Sequence, residues 1–186
     1  RWSSDGRSLI VRGTDEKGDD GVFQVDAQTG KVTTLLEEKA LDRVYRITAT
    51  KDPKVLAFTR NDPSVKFRTV RLRNLQTGDE REIVGGPNYG FINAFAISPD
   101  GSQLAFHAQS ELQVVSTQGG KPRELFRAQE PESIGEAEWT PDGRYILFAK
   151  DDRQGKTQIG KISAEGGDPQ YLDLVLDGIT GIRIHP

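Results

Sequence analysis

An all-β architecture of about four repeated, four-stranded units is predicted from three observations. A motif seen most fully as Phe95-Ala-Ile-Ser-Pro-Asp-Gly-Ser-Gln-Leu-Ala-Phe106 returns along the chain at near-constant spacing. Apolar residues alternate around each copy, which is the period of a strand with one buried face. With 20 Gly, 9 Pro and 34% hydrophobic residues in 186, the composition is turn-rich and poor in apolar residues, favouring many short strands over long helices.

Aligned on its Asp, the motif reads Trp2-Ser-Ser-Asp-Gly-Arg-Ser-Leu-Ile-Val11, Ala49-Thr-Lys-Asp-Pro-Lys-Val-Leu-Ala-Phe58, Ile97-Ser-Pro-Asp-Gly-Ser-Gln-Leu-Ala-Phe106 and Trp139-Thr-Pro-Asp-Gly-Arg-Tyr-Ile-Leu-Phe148. The Asp falls at 5, 52, 100 and 142, at intervals of 47, 48 and 42 residues, and Ile182-Arg-Ile-His-Pro186 opens a fifth copy. Repeats of about 40 to 50 residues made only of short strands are the signature of propeller blades. The blades are expected at about 1–43, 44–91, 92–134 and 135–179, with a further one beginning at 180–186.

Turn chemistry explains the motif. Pro99 and Pro141 preset φ for an early turn position, Asp5, Asp100 and Asp142 accept bonds from nearby backbone N–H groups, and Gly6, Gly101 and Gly143 supply a positive φ. A hairpin with a bulge is the expected result. Pro53 stands where the other copies have Gly and cannot adopt positive φ, so that hairpin must turn differently. The recurrence of Asp at a turn is what local capping requires, and it is read as structural rather than catalytic or metal-binding.

The alternating residues Ile47/Ala49, Phe95/Ile97 and Ala137/Trp139 before the turns, and Leu9/Val11, Leu56/Phe58, Leu104/Phe106 and Ile146/Phe148 after them, are expected to form inner faces of stacked sheets. Trp2, Phe58, Phe106, Trp139 and Phe148 are the expected blade core. Each unit then adds a third strand, such as Val22–Val25 or Leu112–Val115, a Gly-containing turn, and a fourth strand, with Pro122 and Pro169 opening two of these at an edge.

The charged residues carry both signs and sum to −3, so no long-range field steers the chain to nucleic acid or an anionic membrane. No apolar run approaches the roughly 20 residues that span a bilayer. Zero Cys excludes thiolate metal sites and disulfides within these residues. The chain opens inside a motif and holds no Met, which reads as an excised piece of a longer protein.

Candidate sites are few. His185 stands just before a turn Pro, and His107 follows Phe106; neither forms a catalytic or metal cluster by spacing. Ser3 and Ser98 precede turns and lie in no Gly-x-Ser-x-Gly elbow. The acidic stretch Asp15-Glu-Lys-Gly-Asp-Asp20 lacks the order of a calcium loop and reads as a solvated hairpin tip, as does Asp151-Asp-Arg-Gln-Gly-Lys156. Lys66, Arg68, Arg71 and Arg73 form the one basic concentration. Alternation places Arg71 and Arg73 on one strand face and Arg68 on the other, with Glu80 and Glu82 of the next strand available to pair across, so a charge-laced blade face is preferred to a nucleic-acid patch. No cofactor is indicated.

The unit of aromatic or aliphatic residue, Ser/Thr-Pro-Asp-Gly, hydrophobic pair ending in Phe, strand and Gly-Gly turn resembles the WD40-like repeat of TolB-type β-propellers over essentially the whole chain. It departs at Pro53, at Ser4 and Lys51 in the Pro position, and at Ala49 and Ile97 where other copies have Trp. Propellers of this kind have about six to eight blades, so the resemblance implies an open arc completed by the remaining blades of a parent protein. It also implies a non-catalytic binding or scaffold module with a protein or peptide partner, in a bacterial periplasmic or other extracytoplasmic setting. Two alternatives are the gating propeller of a prolyl-oligopeptidase-type serine peptidase and the sensor of a bacterial regulatory protein. The chain is expected not to be an enzyme.

Overall fold

The computed structural model describes residues 2–3, 5–38, 44–61, 67–90, 92, 94–179 and 181–182, with the Tyr45 side chain set aside. Among them the regular structure is entirely β, in two compact units, Arg1–Pro87 and Asn88–Pro186. No helix among the described residues is long and apolar enough to cross a membrane.

The first unit holds two antiparallel sheets. One has three strands, β1 (Ser8–Thr14), β2 (Asp20–Asp26) and β3 (Val32–Glu37), in that order; the other has four, β4 (Val44–Ala49), β5 (Val55–Asn61), β6 (Arg68–Asn74) and β7 (Glu80–Val84). Ile10, Val22 and Leu36 of the first sheet pack with Val44, Leu56 and Phe58 of the second. Alternation makes this possible, because every second side chain of β1, β2, β4 and β5 reaches the same layer.

The second unit repeats the plan with β8 (Ala94–Ile97), β9 (Gln103–Ala108), β10 (Glu111–Ser116) and β11 (Arg123–Arg127), then β12 (Ser133–Trp139), β13 (Tyr145–Asp151), β14 (Lys156–Ser163) and β15 (Gln170–Asp177). Its core joins Ala105, Leu112, Val114 and Leu125 to Trp139, Ile146, Phe148 and Ile162. The Trp139 indole N–H donates to the Ala96 carbonyl at 3.1 Å, so the ring is buried without an unsatisfied polar atom.

The hairpin between β8 and β9 closes by Gly101 N–H donating to Ser98 O at 2.8 Å and Ser98 N–H to Gln103 O at 2.9 Å, with Gly101 at φ 80°. The same pair of bonds recurs at Thr140/Gly143 and at Ser3/Gly6, where the glycines have φ 68° and 66°. At Pro53 the turn is made another way: Val55 N–H donates to Asp52 O at 3.0 Å.

Three expectations need correction. The first sheet has three strands among the described residues, and Trp2 contributes only an isolated bridge to Leu9, so its ring is 57% exposed instead of lying in the core. Among the described residues no strand forms there to lay the indole across a sheet face, whereas Phe58, Phe106, Trp139 and Phe148, each on a paired strand, are buried. On the Leu9/Val11 face of β1, Val11 is exposed and Leu9 half-buried, and it is Ile10, of opposite parity, that enters the core shared with the second sheet. Pro122 and Pro169 sit one residue before β11 and β15, which begin at Arg123 and Gln170, since a ring without an N–H adds nothing to the ladder.

Candidate functional site

A row of charge crosses the first unit between its two sheets. Register places Phe58 opposite Arg71 and Leu56 opposite Arg73, and then Arg71 opposite Glu82 and Arg73 opposite Glu80. These residues therefore share the face of the second sheet that also buries Phe58. Arg60, two residues after Phe58 on β5, belongs to the same face, its guanidinium 5.2 Å from the centre of the Phe58 ring.

Glu80 organises the row. Its Oε1 receives Arg73 Nη1 at 2.7 Å, and its Oε2 receives Arg60 Nη1 at 2.9 Å with Arg71 Nη1 at 3.7 Å. Arg71 also reaches Glu82 at 3.5 Å and donates from Nε to Thr69 Oγ1 at 3.2 Å. Three guanidiniums around one carboxylate, whose side chain is only 14% exposed, make charge-assisted bonds stronger than a surface pair provides. A cleft of about 500 Å³ opens here, lined by Thr34, Leu35, Leu36 and Glu37 of β3 and by Arg60, Arg73 and Glu80. One wall is the outermost strand of a sheet, carrying backbone groups that no further strand of that sheet pairs among the described residues. The other is a set of planar forks suited to carboxylates.

The turn residues are occupied locally. Asp100 accepts Ser98 Oγ–H at 2.5 Å, Ser102 Oγ–H at 2.7 Å and Ser102 N–H at 3.0 Å. The Ser98 hydroxyl, then that of Ser102, hold its carboxyl down to about 2. Asp142 is lowered too, first by the Thr140 hydroxyl and then by the Arg144 backbone N–H, and Asp5 by the Ser3 hydroxyl. The Ser98 hydroxyl also accepts Gln103 N–H at 2.9 Å, and that of Ser3 accepts Ser8 N–H at 3.0 Å. Both hydroxyls are turn braces.

Asp15 folds back on its own loop, accepting Lys17 and Asp19 N–H at 2.9 Å each, and Asp152 does the same with Gln154 and Lys156. Among the described residues no group of three or more His, Asp or Glu could hold a metal ion. His107 lies on β9 opposite Ala94 and Leu112, away from the Arg–Glu row in sequence and sheet. Lys66 and His185 lie outside the described residues.

Of the basic concentration, Arg71 and Arg73 enter the row, while Arg68 has the parity of the buried Val70. Sequence reasoning missed Arg60 and the β3 wall. Arg60 was reachable by parity, since it lies two residues beyond Phe58. The wall was not, because it depends on how one sheet packs on another.

No family model matches the chain, and no curated protein does. Solved structures do match. An oligogalacturonate lyase from Vibrio parahaemolyticus is similar over 94% of this chain and 52% of its own, with TM-score 0.69 and 17% identity. TolB from Acinetobacter baumannii is similar over 90% of this chain and 41% of its own, with TM-score 0.67 and 22% identity. A prolyl endopeptidase is similar over 92% of this chain and 28% of its own, with TM-score 0.70 and 9% identity. The chain thus spans about half or less of each of these proteins. At such identities the shared property is the fold.

The lyase overturns the expectation that the chain is not an enzyme. That expectation came from the lack of a recognisable set of reacting groups around the repeated turn, yet an enzyme is built on the same sheets. A scaffold motif carries no information about catalysis in either direction. Four antiparallel sheets of three or four strands, matched to these neighbours, give the chain a TolB-like β-propeller fold.

Proposed function

We propose that the chain is a propeller binding module that takes an extended, acidic protein segment in the cleft between β3 and the Arg60–Arg71–Arg73 row. The observation that carries this reading is the pairing of an edge strand with guanidinium forks across one solvent-open cleft. A peptide adding to β3 gains main-chain hydrogen bonds from the edge, and an acidic side chain gains a bidentate partner from Arg60 or Arg73. Glu80 aligns the forks when no peptide is bound. The TolB-like fold supports a binding role, since the TolB neighbour covers most of the chain. The test is calorimetric titration with an extended Glu-containing peptide and its Gln counterpart: the acidic peptide should bind at least about tenfold more tightly. Arg60→Gln with Arg73→Gln should remove that preference, and equal binding of the two peptides would refute the reading.

A second reading, the propeller of a prolyl-oligopeptidase-type peptidase, is favoured by the prolyl endopeptidase neighbour, of which this chain matches 28%. Its test is the sequence that adjoins this chain in the whole protein, where a Gly-x-Ser-x-Gly elbow would support it.

A further inference from the structure

We infer that Glu37, on the edge strand of the cleft, selects a basic residue directly beside the acidic one, so that the segment taken up is an extended strand with its acid on one face and its base on the other. The inference rests on the peptide-cleft reading and adds to it the side chain that the β3 wall recognises.

The hydrogen-bond phase of β3 fixes which of its backbone groups are open. At one end Asp26 N–H donates to Lys31 O at 2.9 Å, and at the other Glu38 N–H donates to Asp20 O at 2.8 Å. In an antiparallel pair, residues that exchange such bonds alternate with residues whose N–H and C=O point the other way. Counted in from the two ends, Thr34 opposite Phe23 and Glu37 opposite Gly21 are of the second kind. Their N–H and C=O groups therefore point to the free edge, and both residues line the cleft. The register breaks between them, with Leu35 as the extra residue, so a strand laid on β3 meets two anchor points separated by a bulge.

Side-chain faces follow from the same register. Val22 and Leu36, opposite each other, enter the core shared with the second sheet. Glu37, one residue on, points to the other face. It is exposed, and among the described residues its carboxylate makes no hydrogen bond or ion pair. Glu38 is already engaged: Arg12 donates to it from Nε at 2.6 Å and from Nη2 at 3.0 Å, and its side chain is only 2% exposed. A strand bonded to the Glu37 backbone places the residue opposite Glu37 on Glu37's own face, and the neighbours of that residue on the face of the Arg60–Arg73 row. The charged residues lining the cleft are two arginines, Arg60 and Arg73, and two glutamates, Glu37 and Glu80. A strand carrying acids alone would bring like charge to Glu37, and one carrying bases alone would bring it to the arginines. Opposite charges directly across a strand pair are favourable and like charges are not. Acid toward the arginines with an adjacent base toward Glu37 satisfies both walls.

Calorimetric titration of three extended peptides tests this, each carrying one Glu: the first with Lys directly beside it, the second with Lys two residues away, and the third with Gln in place of Lys. Wild type should bind the adjacent-Lys peptide about threefold more tightly than the Gln peptide, whereas Lys two residues away, sharing the face of the arginines, should give no advantage. Glu37→Gln should abolish the preference for the adjacent Lys, and Glu37→Lys should turn it into a preference for Gln at that place. Circular dichroism of both variants reports retention of fold. Binding that needs the Glu but ignores where the Lys stands, or a Lys preference that survives both substitutions, would overturn this inference alone. Binding indifferent to the Glu of the peptide would overturn the cleft reading and this inference with it.

Discussion

The same backbone ladder carries opposite chemistry in the two units. On β5–β7, Phe58 stands opposite Arg71 and then Glu82; on β13–β15, Phe148 stands opposite Gly160 and then Tyr171. The first arrangement leaves an ionic row facing a cleft. In the second, Phe148 packs with Phe126 at 5.1 Å and Tyr171 at 6.3 Å between ring centres. Gly160 makes room for that ring, since a Cβ there would collide with it. The motif sets the Leu/Ile and Phe positions in both units, and the third and fourth strands decide whether the layer beyond is ionic or aromatic.

The largest effect should come from removing the shared ring. Phe148→Ala is expected to cost about 4 kcal/mol and Phe58→Ala about 3 kcal/mol, because Phe148 also loses Phe126 and Tyr171, whereas Phe58 has no ring neighbour among the described residues. Urea denaturation checks the order, and a larger loss at Phe58 would break the comparison. Next, Gly160→Ala should cost about 2 kcal/mol by forcing the Phe148 ring out of place, read as a lower urea midpoint at unchanged slope. On the ionic side, Glu80→Gln leaves three guanidiniums without their common counter-charge and should cost about 1–2 kcal/mol after allowance for partial exposure. High salt should shrink that difference and leave the Gly160→Ala loss untouched.

The smallest effect concerns a turn. The Asp100 carboxyl is lowered from 3.8 to about 2, so the native state favours its ionised form. Its contribution is present above the unfolded value and is lost as pH falls from about 4 toward 2. Thermal melts of wild type and Asp100→Asn should therefore differ at neutral pH, by less than about 1 kcal/mol at so exposed a site, and converge near pH 2.

How much of this was legible follows from range. Asp100, Gly101 and Gly143 act within five residues, so their turn role could be read directly from Pro-Asp-Gly. The facing of Arg71 with Glu82 and of Arg73 with Glu80 needed only strand parity and one hairpin. Arg60 lies on a different strand, and its reach to Glu80 passes over Phe58, a path that parity permits without specifying. The β3 wall depends on packing between sheets, which no local pattern encodes. Trp2 misled because a motif position was taken as a strand position, although among the described residues only a bridge forms there. The catalytic status of the chain was beyond reach for another reason: the repeated residues build the scaffold, and both a TolB and a lyase stand on similar sheets.

Amide hydrogen exchange with and without an acidic extended peptide tests most directly whether the ionic layer, and not the aromatic one, is the working surface. Exchange should slow along residues 32–37 of β3 and remain unchanged along residues 170–177 of β15. Protection confined to β15, or none at either strand, would contradict it.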